Sequence, residues 1–262
     1  MQRIAIIGAN GYVGGGMINL FKDHYDLVKY DPALKDSATK EEVNKCMLAV
    51  VCVPTEMLED GSCDTSIVEV VVSWIDIPIW VRSTVSVGTT DRLKEKYNKR
   101  IVFSPEYLGE SSYWTDWEFH NNEKACPFIL LGGDKKDTQY VLDIVMPIIG
   151  PTKQVRQLEP KDAEAAKYME NIYFAMKVTF ANEMRRACDA LDVNYWETRS
   201  GWGLDPRVDI MHTASFPSKP GFGGKCLPKD TIGFIRTCEK VGYDPKFLKE
   251  IIESNKRFQK NA

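Results

Sequence analysis

Six short stretches of this chain read as strands, and all but the second, which is mixed and ends in an acid, are apolar almost without interruption. They are Arg3-Ile-Ala-Ile-Ile-Gly8, Tyr25 to Asp31, Leu48-Ala-Val-Val-Cys-Val53, Ile79-Trp-Val-Arg-Ser83, Ile101-Val-Phe-Ser104 and Phe128-Ile-Leu-Leu-Gly132. Runs of this length without a polar face are expected of strands buried on both sides, and Pro54 ends the third of them. Helical or loop segments separate the runs. Strands alternating with helices predict an α/β fold built on a doubly wound parallel sheet through roughly residue 150. The character changes after Gly150-Pro151. From Pro160 to Leu191 the chain has no glycine or proline beyond the first turn and is rich in Ala, Glu, Lys and Met, which predicts one long helix. The remainder holds a glycine-rich loop and a helix-like segment from Pro245. The expected division is a first domain over 1–157, then the long helix with a smaller, mainly helical domain over 158–262.

The first run ends in Gly8-Ala9-Asn10-Gly11-Tyr12-Val13-Gly14 and leads into a helical pattern. Glycines at such a strand–helix junction let a pyrophosphate approach the backbone and reach a helix N-terminus. Asp31 ends the second run, where a carboxylate accepts hydrogen bonds from the adenosine ribose and disfavours a 2′-phosphate, so NAD is expected over NADP. The first domain is thus predicted to be of Rossmann type. The spacing is GxxGxxG, with Asn10 where GxGxxG has glycine. Together with Tyr173 and Lys177, a YxxxK pair, it also resembles the short-chain dehydrogenase/reductases. No serine precedes that tyrosine at the needed distance, and the bland alternative for Tyr173 and Lys177 is a helix surface.

Composition narrows the partners. Hydrophobic residues make up 44% and charged residues 27%, as in ordinary soluble globular proteins, and the formal net charge of −3 offers no general attraction to nucleic acid or anionic membrane. No apolar run approaches a membrane span and no cleavage-site pattern follows the N-terminal stretch. Seven cysteines, an odd number without framework spacing, fit reduced thiols in a cytoplasmic compartment. Scattered cysteines and three histidines make a metal site unexpected.

The most informative stretch is Gly221-Phe-Gly-Gly-Lys-Cys-Leu-Pro-Lys-Asp230. A packing cysteine needs no glycines before it, whereas a thiol that must meet a bulky substrate gains from a backbone without Cβ atoms. In order along the chain, Gly11-Tyr-Val-Gly14, Val51-Cys-Val-Pro-Thr55, Ser83 to Thr90, Ser104-Pro-Glu-Tyr-Leu-Gly-Glu110, Lys167-Tyr-Met-Glu-Asn171, Asp205-Pro-Arg207 and this decapeptide resemble the UDP-glucose/GDP-mannose dehydrogenase family, the UDP-glucose branch most closely.

The resemblance implies an NAD-dependent four-electron oxidation of a nucleotide sugar through a thiohemiacetal and a thioester on Cys226. Asp230 and Thr84 would position water, Glu106 would serve acid/base work, and Lys167 and Asn171 would stabilise the oxyanion and hold the sugar. The cofactor would be held by Gly8, Gly11, Tyr12, Val13, Gly14, Asp31, Val53, Pro54, Thr55, Ser83, Thr84 and Glu110. Substrate contacts would come from Glu106, Tyr107, Leu108, Lys167, Asn171, Arg207, Phe222 and Gly223. Arg207 resembles an arginine that reaches a neighbouring subunit's substrate, implying a homodimer through the long helix. Family members continue into a C-terminal nucleotide-gripping domain, which a chain ending at Ala262 is expected to lack. Two other readings stay open: a two-electron β-hydroxyacid-type dehydrogenase, and a non-catalytic dinucleotide-binding or regulatory homologue. Spacing adds one constraint. Lys167 and Asn171 lie about 40° apart on a helix, whereas Tyr173 lies about 240° round from Lys167, so the two pairs cannot face one active site.

Overall fold

The computed structural model describes residues 2–108 and 122–260. In chain order the first elements are β1 (Arg3–Ile7), α1 (Tyr12–Phe21), β2 (Asp26–Tyr30), α2 (Lys40–Val43), β3 (Leu48–Val51), α3 (Ser66–Trp74), β4 (Ile79–Val81), α4 (Thr89–Tyr97) and β5 (Ile101–Phe103). Then come β6 (Phe128–Gly132), α5 (Lys135–Ile149), β7 (Gln154–Leu158), α6 (Pro160–Ala190), α7 (Tyr195–Trp202), α8 (Cys226–Lys240) and α9 (Lys246–Lys260). The strands form one sheet in the order β2-β1-β3-β4-β5-β6-β7, parallel except where β5 meets β6 through Phe103 and Gly132.

Successive residues of each inner strand feed opposite cores. Ala5 and Ile7 of β1, with Ala49 and Val51 of β3, join Val43, Val68 and Val72 on one face. Ile4, Ile6, Leu48 and Val50 point the other way, to Met17 and Phe21 of α1 and Val141 and Val145 of α5. This two-sided burial is why the strands carry no polar face. The doubly wound parallel sheet expected from the pattern is present, with two additions. β7 reads Gln-Val-Arg-Gln-Leu and is largely exposed at the sheet edge, so it carries no apolar run. The single antiparallel junction follows a long connection, whose direction of return no local pattern encodes.

The chain divides into two compact units, Met1–Glu56 with Cys63–Lys167, and Met57–Ser62 with Tyr168–Ala262. Unit 1 holds the sheet. Unit 2 is helical, with a core of Ala175, Phe222, Ile235, Ile251 and Ile252 where α8 and α9 pack with α6. The division falls inside α6, between Lys167 and Tyr168.

Within unit 1 the first helix crosses the first strand with no room for a side chain. A Cβ on Gly14 would stand 2.1 Å from the Gly8 carbonyl oxygen and 3.0 Å from Ala9 Cα. Backbone atoms cannot retreat as a side-chain tip can, so α1 would have to lift off β1. Gly14→Ala should therefore cost about 1–3 kcal/mol, as overpacking does. An unchanged urea midpoint would show that α1 does not seat on β1 this closely.

Candidate active site

The loop after β1 lies where the strand order reverses. α1 carries the chain from β1 out to β2 on one side, and β3 returns on the other, which makes the β1/β3 end the crevice where open α/β sheets bind ligands. Gly8 has φ of +80°, and a Cβ there would lie 2.4 Å from the Cys52 carbonyl oxygen. Gly11 is the N-cap of α1, supplies no side-chain cap, and is followed by no acid in the first turn. The first turn of α1 therefore directs its backbone N–H groups and the positive end of its dipole toward this turn, the arrangement that accepts an anion.

Asp31, just past β2, accepts the Asn10 N–H at 2.9 Å and the Ala33 N–H at 2.9 Å. Asn10, the departure from GxGxxG, thus uses its backbone to bring the carboxylate to the turn. Tyr12 is exposed and Val13 half-buried on the first turn of α1. On the β3 side, Val53 and Thr55 are buried, Pro54 is exposed, and the Ser83 hydroxyl donates to the Val53 carbonyl at 2.6 Å. A tight turn closed to side chains, an open helix N-terminus and a spaced carboxylate together fit a dinucleotide.

Also in unit 1, the Lys167 ammonium is buried. It donates to the Glu106 carbonyl at 2.7 Å, lies 3.6 Å from the Glu106 carboxylate and sits 5.1 Å from the Tyr107 ring centroid. The other Glu106 oxygen accepts the Leu108 N–H at 2.9 Å. Tyr107 meets Phe128 edge-on, and Leu108 is buried beside Gly16, where a Cβ would come within 2.6 Å of it. Thr84 is half-buried, and its carbonyl faces the Cys63 thiol at 3.6 Å. One turn before Lys167, the buried Glu164 carboxyl accepts the Gly88 N–H at 2.5 Å and the Thr90 N–H and hydroxyl at 2.8 and 2.6 Å. It caps α4 and so holds the end of the Ser83–Thr90 turn. Burial pushes this carboxyl up to about 7 against the pull of those donors.

In unit 2, Cys226 is exposed as the first residue of α8, whereas the other six cysteines are buried or half-buried. Burial raises the thiols of Cys46, Cys126 and Cys238, and takes Cys52 up to about 12. A helix N-terminus, by contrast, favours a thiolate. One turn on, the buried Asp230 carboxylate meets the Lys229 ammonium at 2.6 Å and accepts from the Asn171 amide at 2.5 Å. Unit 2 thus brings Asn171 and Asp230 together, while unit 1 brings Lys167 to Glu106 and Tyr107. Gly223 is open, and Arg207 is exposed and paired with its neighbour Asp205.

Phe222 has its ring in the unit 2 core, and its N–H and carbonyl are both engaged by side chains of α9. Its place is that of an anchor for the loop. Glu110 lies outside the described residues. Lys177 departs from the helix-surface reading: it is buried and pairs with Asp209 at 2.7 Å, while Tyr173 stays exposed. Sequence reasoning also missed Glu164, Asn182 and Asn255. Each is a polar residue on a buried helix face, and that interruption of an apolar stripe was the available signal.

Fold and site define a dinucleotide-binding α/β protein with a second, helical unit that presents a thiol. The NAD binding domain of the UDP-glucose/GDP-mannose dehydrogenase family matches residues 22–147, and the central domain of that family matches residues 161–257. The chain belongs to the UDP-glucose/GDP-mannose dehydrogenase family. It is 26% identical over 261 residues to a UDP-glucose 6-dehydrogenase of Pseudomonas aeruginosa, across 92% of this chain and 55% of that protein. A UDP-glucose dehydrogenase from the archaeon Pyrobaculum islandicum shares the fold with a TM-score of 0.83 at 24% identity, covering 98% of this chain and 68% of that one. A 3-hydroxyisobutyrate dehydrogenase of Mycobacterium tuberculosis does so at 0.71 and 16%, covering 98% and 94%. The chain spans about half the length of the curated relatives it matches. Among the described residues no helix is long and apolar enough to cross a membrane.

Glu164 yields a pH prediction. A carboxyl raised on folding stabilises the native state below its unfolded value, and that contribution is lost as pH rises through the folded one. The stability advantage of the native protein over Glu164→Ala should shrink between pH 4.5 and about 7, by on the order of 3 kcal/mol. Denaturant unfolding of both proteins across that window measures it. A constant difference would mean that the carboxyl keeps its ordinary acidity.

Proposed function

We propose that the protein performs an NAD-dependent four-electron oxidation of a nucleotide sugar, with UDP-glucose to UDP-glucuronate the leading case. The observation that carries this is the exposed thiol of Cys226 at the head of α8, one helical turn from the buried Asp230–Asn171 pair. NAD would be held by Gly8, Gly11, Tyr12, Val13, Gly14, Asp31, the Val53–Thr55 turn, Ser83 and Thr84, with Glu110 beyond the described residues. Bound there, NAD would supply the hydride acceptor for each of the two two-electron oxidations, one NAD for each.

This chain's residues supply the rest. The Cys226 sulfur adds to the sugar aldehyde, and a new C–S bond makes a thiohemiacetal, whose oxidation leaves a thioester. A thioester yields to water, which breaks the C–S bond, releases the carboxylate and returns the thiol. Lys167 and Asn171 donate hydrogen bonds to the oxyanion that forms at each addition. Asp230 and Thr84 hold the hydrolytic water, and Glu106 moves its proton. Tyr107, Leu108 and Gly223 shape the sugar's surroundings.

The working protein is proposed to be a homodimer through α6. Met169, Tyr173, Phe180 and Met184 are 67, 47, 48 and 40% exposed. At about 100° per residue they fall within about 60° of one another, while Lys167 and Asn171 point to the far side of the helix. An exposed apolar stripe on a helix favours burial against a partner, and a second copy presents the same stripe. Arg207, exposed outside this seam, would then serve the partner's substrate.

Incubation with NAD and UDP-glucose should release two NADH per sugar, and Cys226→Ser should stall after the aldehyde, with one NADH at most. No NADH from any nucleotide sugar would sink the proposal, and undiminished turnover by Cys226→Ala would favour a two-electron dehydrogenase. Phe180→Lys should convert the dimer to monomer by sedimentation. A native protein that is already monomeric at working concentration would remove the dimer.

A further inference from the structure

One side chain holds both main-chain groups of Phe222. Asn255 Oδ1 accepts the Phe222 N–H at 2.7 Å, and Asn255 Nδ2 donates to the Phe222 carbonyl at 2.9 Å. The pair of bonds imitates one rung of a β-ladder, supplied by a helix. Gln259, one turn later on α9, donates to the same carbonyl at 2.9 Å. Asn255 is buried on the face of α9 that carries Ile251, Ile252 and Phe258. A primary amide on an apolar stripe is costly unless its donors and acceptor are used, and here they are used on one residue of one loop.

The neighbouring backbone is shaped to admit it. Gly221 has φ of +77°, and a Cβ there would stand 2.3 Å from Asn255 Oδ1. A second buried amide, Asn182 on α6, accepts the Gly221 N–H at 3.1 Å and the Ser215 hydroxyl at 3.0 Å. Beyond Phe222 the loop runs through open space. Cβ atoms built on Gly223 and Gly224 would meet nothing within 4 Å, and Lys225 is exposed. The next residue is Cys226. The last fixed point of the main chain before the thiol is therefore the residue that Asn255 grips.

We infer that Asn255 is the positioning residue for Cys226. By fixing the Phe222 backbone it sets where the short Gly223–Lys225 span delivers the thiol to the N-terminus of α8. The inference rests on reading Cys226 as the nucleophile only for its bearing on turnover; the positioning itself is tested on the thiol. Asn255→Ala frees the Phe222 N–H and leaves its carbonyl to Gln259 alone. Asn255→Asp keeps the shape and the acceptor but sets a carboxylate oxygen against the Phe222 carbonyl, so it releases one of the two bonds without opening a cavity. Ile251→Val is the control, since it loosens the same helix face and leaves the grip intact.

The measurement is the rate of Cys226 alkylation by iodoacetamide as a function of pH, read on the cysteine-bearing peptide by mass spectrometry. The alkylation midpoint should rise by about half a pH unit or more in Asn255→Ala and Asn255→Asp as the first turn of α8 loosens around the thiol, cutting the neutral-pH rate about threefold. Ile251→Val should keep the native midpoint even though its thermal unfolding temperature falls. If Asn255→Ala does not fold, Asn255→Asp decides. A native midpoint in Asn255→Asp, or an equal shift in Ile251→Val, overturns the inference. Failure of the thioester route would appear in NADH yield and leave these midpoints where they are.

Discussion

Asp230 is a buried carboxylate, and buried carboxylates persist only with partners. Its two oxygens are satisfied by the adjacent Lys229 and by Asn171 on α6. The bond to Asn171 ties the first turn of α8, where Cys226 stands, to the middle of the longest helix. Removing either partner would leave a charge or an amide stranded in the interior, so the pairing resists displacement of the helix from its C-terminal side, while the loop before Cys226 holds it from the other. The proposed chemistry needs that constancy, because a nucleophile misplaced by a fraction of an ångström loses much of its advantage.

The same helix divides its labour by angle. Lys167 and Asn171 occupy one side of α6, and the exposed Met169, Tyr173, Phe180 and Met184 occupy another. A helix of 31 residues offers this separation because its period returns each face every few residues. A short helix could carry a site or an association surface, but it would have difficulty keeping both free of one another.

Much of this was legible in the chain. Five of the seven strands show as nearly unbroken apolar runs, since burial on both faces is a local property of composition, and β2, at the opposite edge from β7, is legible as a mixed stretch ending in Asp31. The long helix was read as ending at Leu191, against Ala190 in the structure. The glycine turn and Asp31 could be placed because their spacing follows from one strand, one turn and one helix. What escaped detection depended on distant partners. β7 is polar because it lies at an edge. Lys177 looks like any surface lysine until Asp209, 32 residues on, is known to meet it. Glu164 and Asn255 have meaning only through the backbone groups they hold, at Gly88 and Thr90 in one case and at Phe222 in the other. Hydrogen bonds from side chain to remote main chain leave only a polar break in an apolar stripe, which does not name the partner, so sequence reading finds the scaffold and the reactive groups more readily than the residues that steady them.

Unit 2 includes a six-residue excursion, Met57–Ser62, drawn from the middle of the sequence that otherwise builds the sheet. Within it Gly61 sits where a Cβ would crowd Ile232, and the Asp60 carbonyl accepts from Arg236 at 2.7 Å. The covalent chain therefore passes between the units three times, and no single scission yields either one whole. A fragment ending at Lys167 would strand the excursion without its helix, and one beginning at Tyr168 would lack a patch of its own surface. Gene fusions, domain exchanges and recombination between relatives meet the same obstacle, so the two units are inheritable most readily as a pair.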